Sequence, residues 1–148
     1  MLPQMNSKEI QIAQTIEQKI KDLPQLSLVT HHTLHDGVYY RGVYLNKGEA
    51  IVGTVIKIPT TLILTGRIQV YIGNRSIEVM GMQIIPAAAN RKQVMYAQED
   101  STVTMCFKTT AKTVEEAEEE FTDEYSNLMS RQPQSVNITN IGELICQQ

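Results

Sequence analysis

Residues 67–79, RIQVYIGNRSIEV, decide how the chain folds. Ile68, Val70 and Ile72 alternate with polar or aromatic neighbours, Gly73-Asn74 supplies two residues tolerant of positive φ, and Ile77 and Val79 resume the alternation. Period two on both sides of such a pair predicts a β-hairpin. The same texture extends outward over residues 27–110, where glycines at 37, 42, 48, 53, 66, 73 and 81 separate short runs of Ile, Val, Leu, Thr and Tyr. A late strand from Thr102 to Lys108 places Val103, Met105 and Phe107 on one face. Several short strands in one domain predict an antiparallel meander closed as a sandwich or barrel, which removes or protects sheet edges.

Composition agrees with one aliphatic core. The 148 residues are 42% hydrophobic and 20% charged, with sixteen Ile, two Phe and no Trp. That excludes a disordered or collagen-like chain, and the frequent β-branched residues favour strands. A formal charge of -3 does not support a broad nucleic-acid footprint. Cys106 and Cys146 are too few for a disulfide scaffold, which points to reduced thiols in the cytosol. The opening MLPQMNSKEI lacks the basic and apolar blocks of a signal peptide, and no apolar run approaches membrane-spanning length.

Two helices flank the strands. Asn6 and Glu9 form a capping box ahead of Ile12, Ile16 and Ile20, with Ala13 and Leu23 on the same side and Pro24 at the end. Thr113 and Glu116 repeat the signal before Val114, Ala117, Phe121, Tyr125 and Leu128. Seven acids and no Lys or Arg lie between Val114 and Leu128, so the other nine acids are set against all 13 bases. The acids form either a solvated face or a surface drawn to the body of the chain or to a neighbouring subunit. The expected organisation is a helix over 1–25, a barrel over 26–112, an acidic helix over 113–130 and a tail over 131–148. In that tail Val136, Ile138, Ile141, Leu144 and Ile145 could dock on the barrel or on another subunit.

No phosphate loop, dinucleotide fingerprint, GxSxG elbow, HExxH or EF-hand loop occurs. His31, His32 and His35 are either hydrogen-bonded histidines at a barrel mouth or, with Asp36, weak metal ligands. Tyr39 and Arg41 share one strand face and Tyr40 and Tyr44 the other. Arg41 can anchor a carboxylate or phosphate, or pair with an acid such as Glu99. Arg91 and Lys92, beside the turn residue Asn90, receive an anion or are simply solvated. Thr61, Tyr96 and Gln98 complete a candidate polar mouth, while Ile56, Ile63, Ile68 and Val70 are available to fill the interior.

Together HHTLHDGVYYRGVYLNKGEAIVGTVIK (31–57), LTGRIQVYIG (64–73), NRKQVMYAQEDSTVTMCF (90–107) and TVEEAEEEF (113–121) resemble the small cupin-like proteins of tailed bacteriophages. The resemblance covers Val29 to Phe121 and rests on His32, Gly37-Val38-Tyr39 with Arg41, Gly48, Gly53, Gly66-Arg67, Lys92, and Tyr96-Ala97 before Glu99-Asp100. It implies a double-stranded β-helix, a small jelly-roll barrel. Metal-binding cupins carry histidines three and about seven residues beyond the glycine matching Gly53, where this chain has Ile56 and Thr60 or Thr61. Ala89-Asn90 replaces a Pro-Gly turn, and Gln98 stands where the relatives commonly have His. The resemblance therefore implies the barrel without its metal-binding histidines.

These readings give a mainly β, cupin-like barrel with two flanking amphipathic helices and no cofactor, and they lean against an enzymatic role without deciding it. The expected function is a phage accessory protein in the host cytoplasm that binds a small polar or anionic ligand or a host protein. The alternatives are a virion or assembly component and, less favoured by the residues, a metal-dependent enzyme. A homodimer through sheet edges and terminal segments is expected, with no membrane or nucleic-acid partner.

Overall fold

Burial alternates residue by residue along Val29–His35, Thr60–Thr65, Arg67–Ile72 and Ser101–Lys108, as period two requires. A computed structural model describes residues 1–25 and 27–141. Leu144, Ile145 and Cys146 lie outside the described residues. A helix α1 (Ser7–Ile20) precedes strands β1 (Val29–His35), β2 (Val38–Leu45), β3 (Ala50–Val52), β4 (Thr60–Thr65), β5 (Arg67–Ile72), β6 (Arg75–Met80), β7 (Gln83–Ala87), β8 (Val94–Ala97) and β9 (Ser101–Lys108). Helix α2 (Val114–Phe121), two short 3-10 turns and β10 (Val136–Ile141) complete the described residues.

The strands form a six-stranded sheet, β10-β1-β2-β9-β4-β7, and a four-stranded sheet, β3-β8-β5-β6. All pairings between these strands are antiparallel except β1 with β10. Between the sheets lies an aliphatic core that includes Leu45, Leu62, Leu64, Ile68, Val70, Met95 and Met105. Ile68 and Val70 fill it as the alternation predicts. Ile63 does not: β4 begins at Thr60, so the pleat turns Leu62 and Leu64 inward and Thr61 and Ile63 to the outer face. Ile56 packs against the core from the loop before β4, where it bridges to Arg91.

The predicted hairpin is β5-β6, with Ile72 opposite Arg75 and Gly73 at φ +63°. Gly73 also lies under α1, because a Cβ there would come within 2.8 Å of Glu9 Cγ. The helix begins with the predicted box: Glu9 N donates to Asn6 Oδ1 (2.9 Å) and Asn6 N to Glu9 Oε1 (3.1 Å). The residues ahead of it enter the core, which the sequence reading did not foresee. Leu2 and Met5 are buried, and Leu2 exchanges backbone hydrogen bonds with Pro86 and Ala88 beside β7.

Two elements differ from expectation near the C-terminal end. The acidic helix stops at Phe121 instead of running to residue 130, because Lys57 N donates to the Phe121 carbonyl and Thr122 is extended. The chain then descends through the turns Tyr125–Asn127 and Met129–Arg131. What read as a tail contains β10, which lies parallel to β1 with Val29 opposite Val136 and Leu34 opposite Ile141. Among the described residues no helix is long and apolar enough to cross a membrane.

Gly66, at φ +94°, separates β4 from β5. A Cβ there would stand 2.5 Å from the Asp100 carbonyl oxygen and 2.8 Å from Ser101 Cα. Both the conformation and the clash with backbone oppose a side chain. Gly66→Ala is expected to cost about 3 kcal/mol or more of stability, measured by urea unfolding.

Candidate functional site

Helix α2 and the turn at Ser130-Arg131 lie over the inner face of β10, β1 and β2, where Glu118 meets Arg41, Phe121 stacks on Tyr39 and the Ser130 carbonyl meets Asn137. Register sets the array: His32 lies opposite Arg41 on one side and Thr139 on the other, while Tyr39 lies opposite Leu34. Tyr39 is fully buried, with its ring edge-on to Phe107 at 5.5 Å and stacked on Phe121 at 6.5 Å. Arg41 passes over the Phe121 ring at 5.6 Å, so the aromatic cluster holds the guanidinium in place as well as the ring.

Hydrogen bonds fix the proton positions. Asn137 Nδ2 donates to the Ser130 carbonyl (2.9 Å), leaving Oδ1 to accept from His32 Nε2 (2.7 Å). His32 Nδ1 then accepts from the Tyr39 hydroxyl (2.7 Å), whose oxygen accepts from Arg41 Nη1 (3.4 Å). Burial, together with the nearby Arg41 charge, pushes the His32 pKa below its ordinary 6.5 despite the Asn137 bond, which matches the neutral tautomer. Burial raises Tyr39 to about 12, so the phenol keeps its proton.

Glu118, 2% exposed, is the electrostatic centre. Its Oε2 accepts from Arg41 Nη1 (2.7 Å) and from the Ser130 hydroxyl, and its Oε1 accepts from Arg131 Nε (2.9 Å). Burial alone would raise its pKa, but the bonds from Ser130 and Arg131 and the Arg41 charge outweigh burial and hold the carboxyl below 4.5. A cleft of about 290 Å³ opens beside this array, lined among others by His32, Thr113, Glu118, Arg131 and Thr139.

The expected polar mouth does not assemble in one place. Tyr39 and Arg41 belong to this array, but Arg41 pairs with Glu118 and not with Glu99, since Arg41 faces the middle of β9 under α2 while Glu99 lies in the turn before that strand. Thr61 faces outward from β4, and Tyr96 points away from the core on the other sheet. The Gln98 side-chain oxygen is buried without a partner. Nor are Arg91 and Lys92 solvated; each is 1% exposed. Arg91 donates to Ala88 O and Thr60 Oγ1, and burial lowers its pKa to about 10. Lys92 pairs with Glu17 of α1 and with Glu124. Of the three histidines only His32 points inward, because His31 and His35 occupy the alternate, exposed positions of β1.

The metal expected of the fold does not fit these residues. Ile56 has no ligating atom, Thr60 Oγ1 accepts from Arg91, and Thr61 faces outward. Among the described residues no cluster of three His, Cys, Asp or Glu side chains could hold a metal ion. Glu118, Ser130, Arg131 and Asn137 were missed by sequence reasoning. One signal pointed to Glu118: it adjoins Ala117 and precedes Phe121 by three, so it borders the buried stripe of its helix. The other three come from segments that read as tail or helix end.

Comparison with solved structures finds proteins of partial likeness. A cupin superfamily protein from Desulfitobacterium hafniense is 14% identical, with a TM-score of 0.46 over 73% of this chain and 94% of that one. A cupin 2 conserved barrel domain protein from Leptotrichia buccalis is also 14% identical, at 0.49 over 62% and 45%. A conserved protein of unknown function from Streptococcus pyogenes is 19% identical, at 0.41 over 53% and 69%. No family model matches the sequence, and no curated protein matches it. The fold is mainly β, a six-stranded and a four-stranded sheet packed around one core with two helices on its flanks.

Removing the carboxylate while leaving both arginines is the most damaging change available in the array. Glu118→Ala is expected to cost about 3 kcal/mol in urea unfolding, whereas Arg41→Met combined with Glu118→Leu recovers much of the loss. Acid should act in two stages. Below pH 6.5 the unfolded chain binds a proton at His32 that the folded chain resists, so stability falls as pH drops, by at most about 1.4 kcal/mol per unit. The contribution of Glu118 is present above its unfolded value of 4.5 and is lost only as pH falls through the lower folded value. Unfolding curves from pH 8 to 3 check both stages, and His32→Gln is expected to flatten only the first.

Proposed function

We propose that the protein is a non-enzymatic cupin-like scaffold, a phage-encoded assembly or accessory component that works through its surfaces. The observation that carries this reading is the filled interior: Leu62, Leu64, Ile68, Val70 and Met105 occupy the space where such a fold would place its chemistry. Arg41, the residue best suited to anchor an anion, is neutralised by Glu118 within the same chain. Phage origin rests on the resemblance of residues 29–121 to the small cupin-like proteins of tailed phages, and the host cytoplasm or the virion follows from that origin.

A second reading, a small polar ligand beside His32, Thr139 and Arg131, has one observation in its favour, the cleft of about 290 Å³. Native mass spectrometry with elemental analysis separates the two. The scaffold reading expects the bare chain mass, and it expects Arg41→Ala to lose stability without releasing any small molecule. A stoichiometric molecule absent from a folded Arg41→Ala variant, or one equivalent of Zn, Fe, Mn or Ni, overturns it.

A further inference from the structure

The residues ahead of α1 close over a buried polar turn. Leu2 and Met5, 0% and 2% exposed, are tied down by backbone bonds from Leu2 N to Pro86 O, from Ala88 N to Leu2 O and from Met5 N to Asn90 O, each 2.9 Å. The hold is short. Leu2 makes an isolated bridge to Ala87 and no strand, and Pro86 has no N–H with which that ladder could grow. Beneath this strap the chain carries Arg91, Lys92 and Gln93, which are 1%, 1% and 7% exposed. Met5 Sδ accepts there from Lys92 N (3.3 Å) and from Gln93 Nε2 (3.7 Å). A thioether is a weak acceptor, so two buried donors are spent on one of the poorest partners a side chain offers.

Charge in the same turn is unbalanced. Lys92 is answered by Glu17 (3.1 Å) and Glu124 (3.5 Å). Arg91 is not: among the described residues no carboxylate pairs with it, its terminal nitrogens meet only the neutral Ala88 carbonyl and Thr60 hydroxyl, and its Nε has no partner. Thr54 Oγ1 is likewise buried and unpartnered, next to Gly53, whose N–H donates to the Gln93 carbonyl (3.0 Å). A buried cation without a counter-charge is costly, and donors left on poor acceptors add to the cost. One anion answers both. We infer that the Arg91–Gln93 turn is a binding site for a small carboxylate, kept shut by the Met5 side chain. The carboxylate takes the place of Met5 Sδ and accepts from Lys92 N and Gln93 Nε2 beside the Arg91 charge. Its two oxygens suit this turn better than a single-atom ion does, because the unpartnered Arg91 Nε and Thr54 hydroxyl bring further donors for their lone pairs. Room comes from the strap, which swings out about Asn6 while α1 stays docked over Gly73 and through Glu17. The site goes beyond the scaffold reading and stands without it; closed by Met5, it leaves the bare mass expected above unchanged.

The full chain, labelled with nitrogen-15, tests this in a titration where sodium formate replaces sodium chloride at constant ionic strength. The Lys92 amide and the Gln93 side-chain amide report the site, and hydrogen exchange at the Met5 and Ala88 amides reports the strap. In the wild type formate is expected to shift the first pair and to speed exchange at the second, with one shared midpoint. Formamide, the neutral isostere, is expected to do neither. Met5→Ala removes the thioether without cutting the strap and is expected to bind formate roughly tenfold tighter or more. Arg91→Met is expected to lose the response, with Gln93→Leu as the second variant should the first fail to fold. A wild type indifferent to formate overturns the inference even if Met5→Ala binds it, because the strap is then a permanent part of the core. So does an equal response to formamide, a response that survives in the folded turn variants, or binding that leaves exchange at Met5 and Ala88 unchanged.

Discussion

One buried carboxylate organises the polar half of this protein. Glu118 draws Arg41 from a strand and Arg131 with Ser130 from a turn, so a single ionised group ties the sheet, the acidic helix and the approach to the last strand. A charge in so dry a place persists only because every partner is a hydrogen-bond donor aimed at it. The same set of donors explains the shape of the region. Without Ser130 and Arg131 the carboxylate would keep only Arg41, and Asn137 would lose the Ser130 carbonyl that orients its amide toward His32.

That arrangement separates fold from chemistry. A two-sheet barrel can hold a reactive centre only if side chains with lone pairs converge inside it, and here the converging side chains are Leu, Ile, Val and Met. The polar groups that do converge saturate one another outside the barrel core. Arg41 serves Tyr39, Ser130 and Glu118 at once, which leaves little of its fork for a visitor. Rigidity is the natural product of such a network.

The strands were legible because their signal is local. Alternation in RIQVYI and the Gly73-Asn74 pair together determine a hairpin that no distant contact needs to endorse, and the capping box at Asn6 works in the same way. The helix over 114–128 shows the opposite case. Its stripe was real as far as Phe121, but a backbone bond from Lys57 and the pairing of Asp123 with that lysine ended it, and nothing near residue 121 in sequence announces either. Charge was misread for a related reason. Arg91 and Lys92 look solvated beside a turn, yet α1 and the chain after α2 close over Lys92 with Glu17 and Glu124. The site itself was half legible: Tyr39 and Arg41 share a face by alternation, whereas His32 joins them through the register of β1 on β2, and Glu118, Ser130, Arg131 and Asn137 reach them only through the tertiary fold.

The placing of β10 bears on how the protein is made. His32 and Asn137, bonded to each other, are separated by 105 residues, and β1 has no second neighbour in its sheet until β10 arrives. During synthesis β1 and β2 emerge early and wait with an open edge while nearly all of the remaining chain is translated. Local hairpins such as β5-β6 can form meanwhile, but the parallel pairing must close the longest loop in the molecule. The buried histidine is therefore among the last groups to find its partner, and the nascent barrel passes through a stage in which its most polar interior is still exposed to water and to other chains.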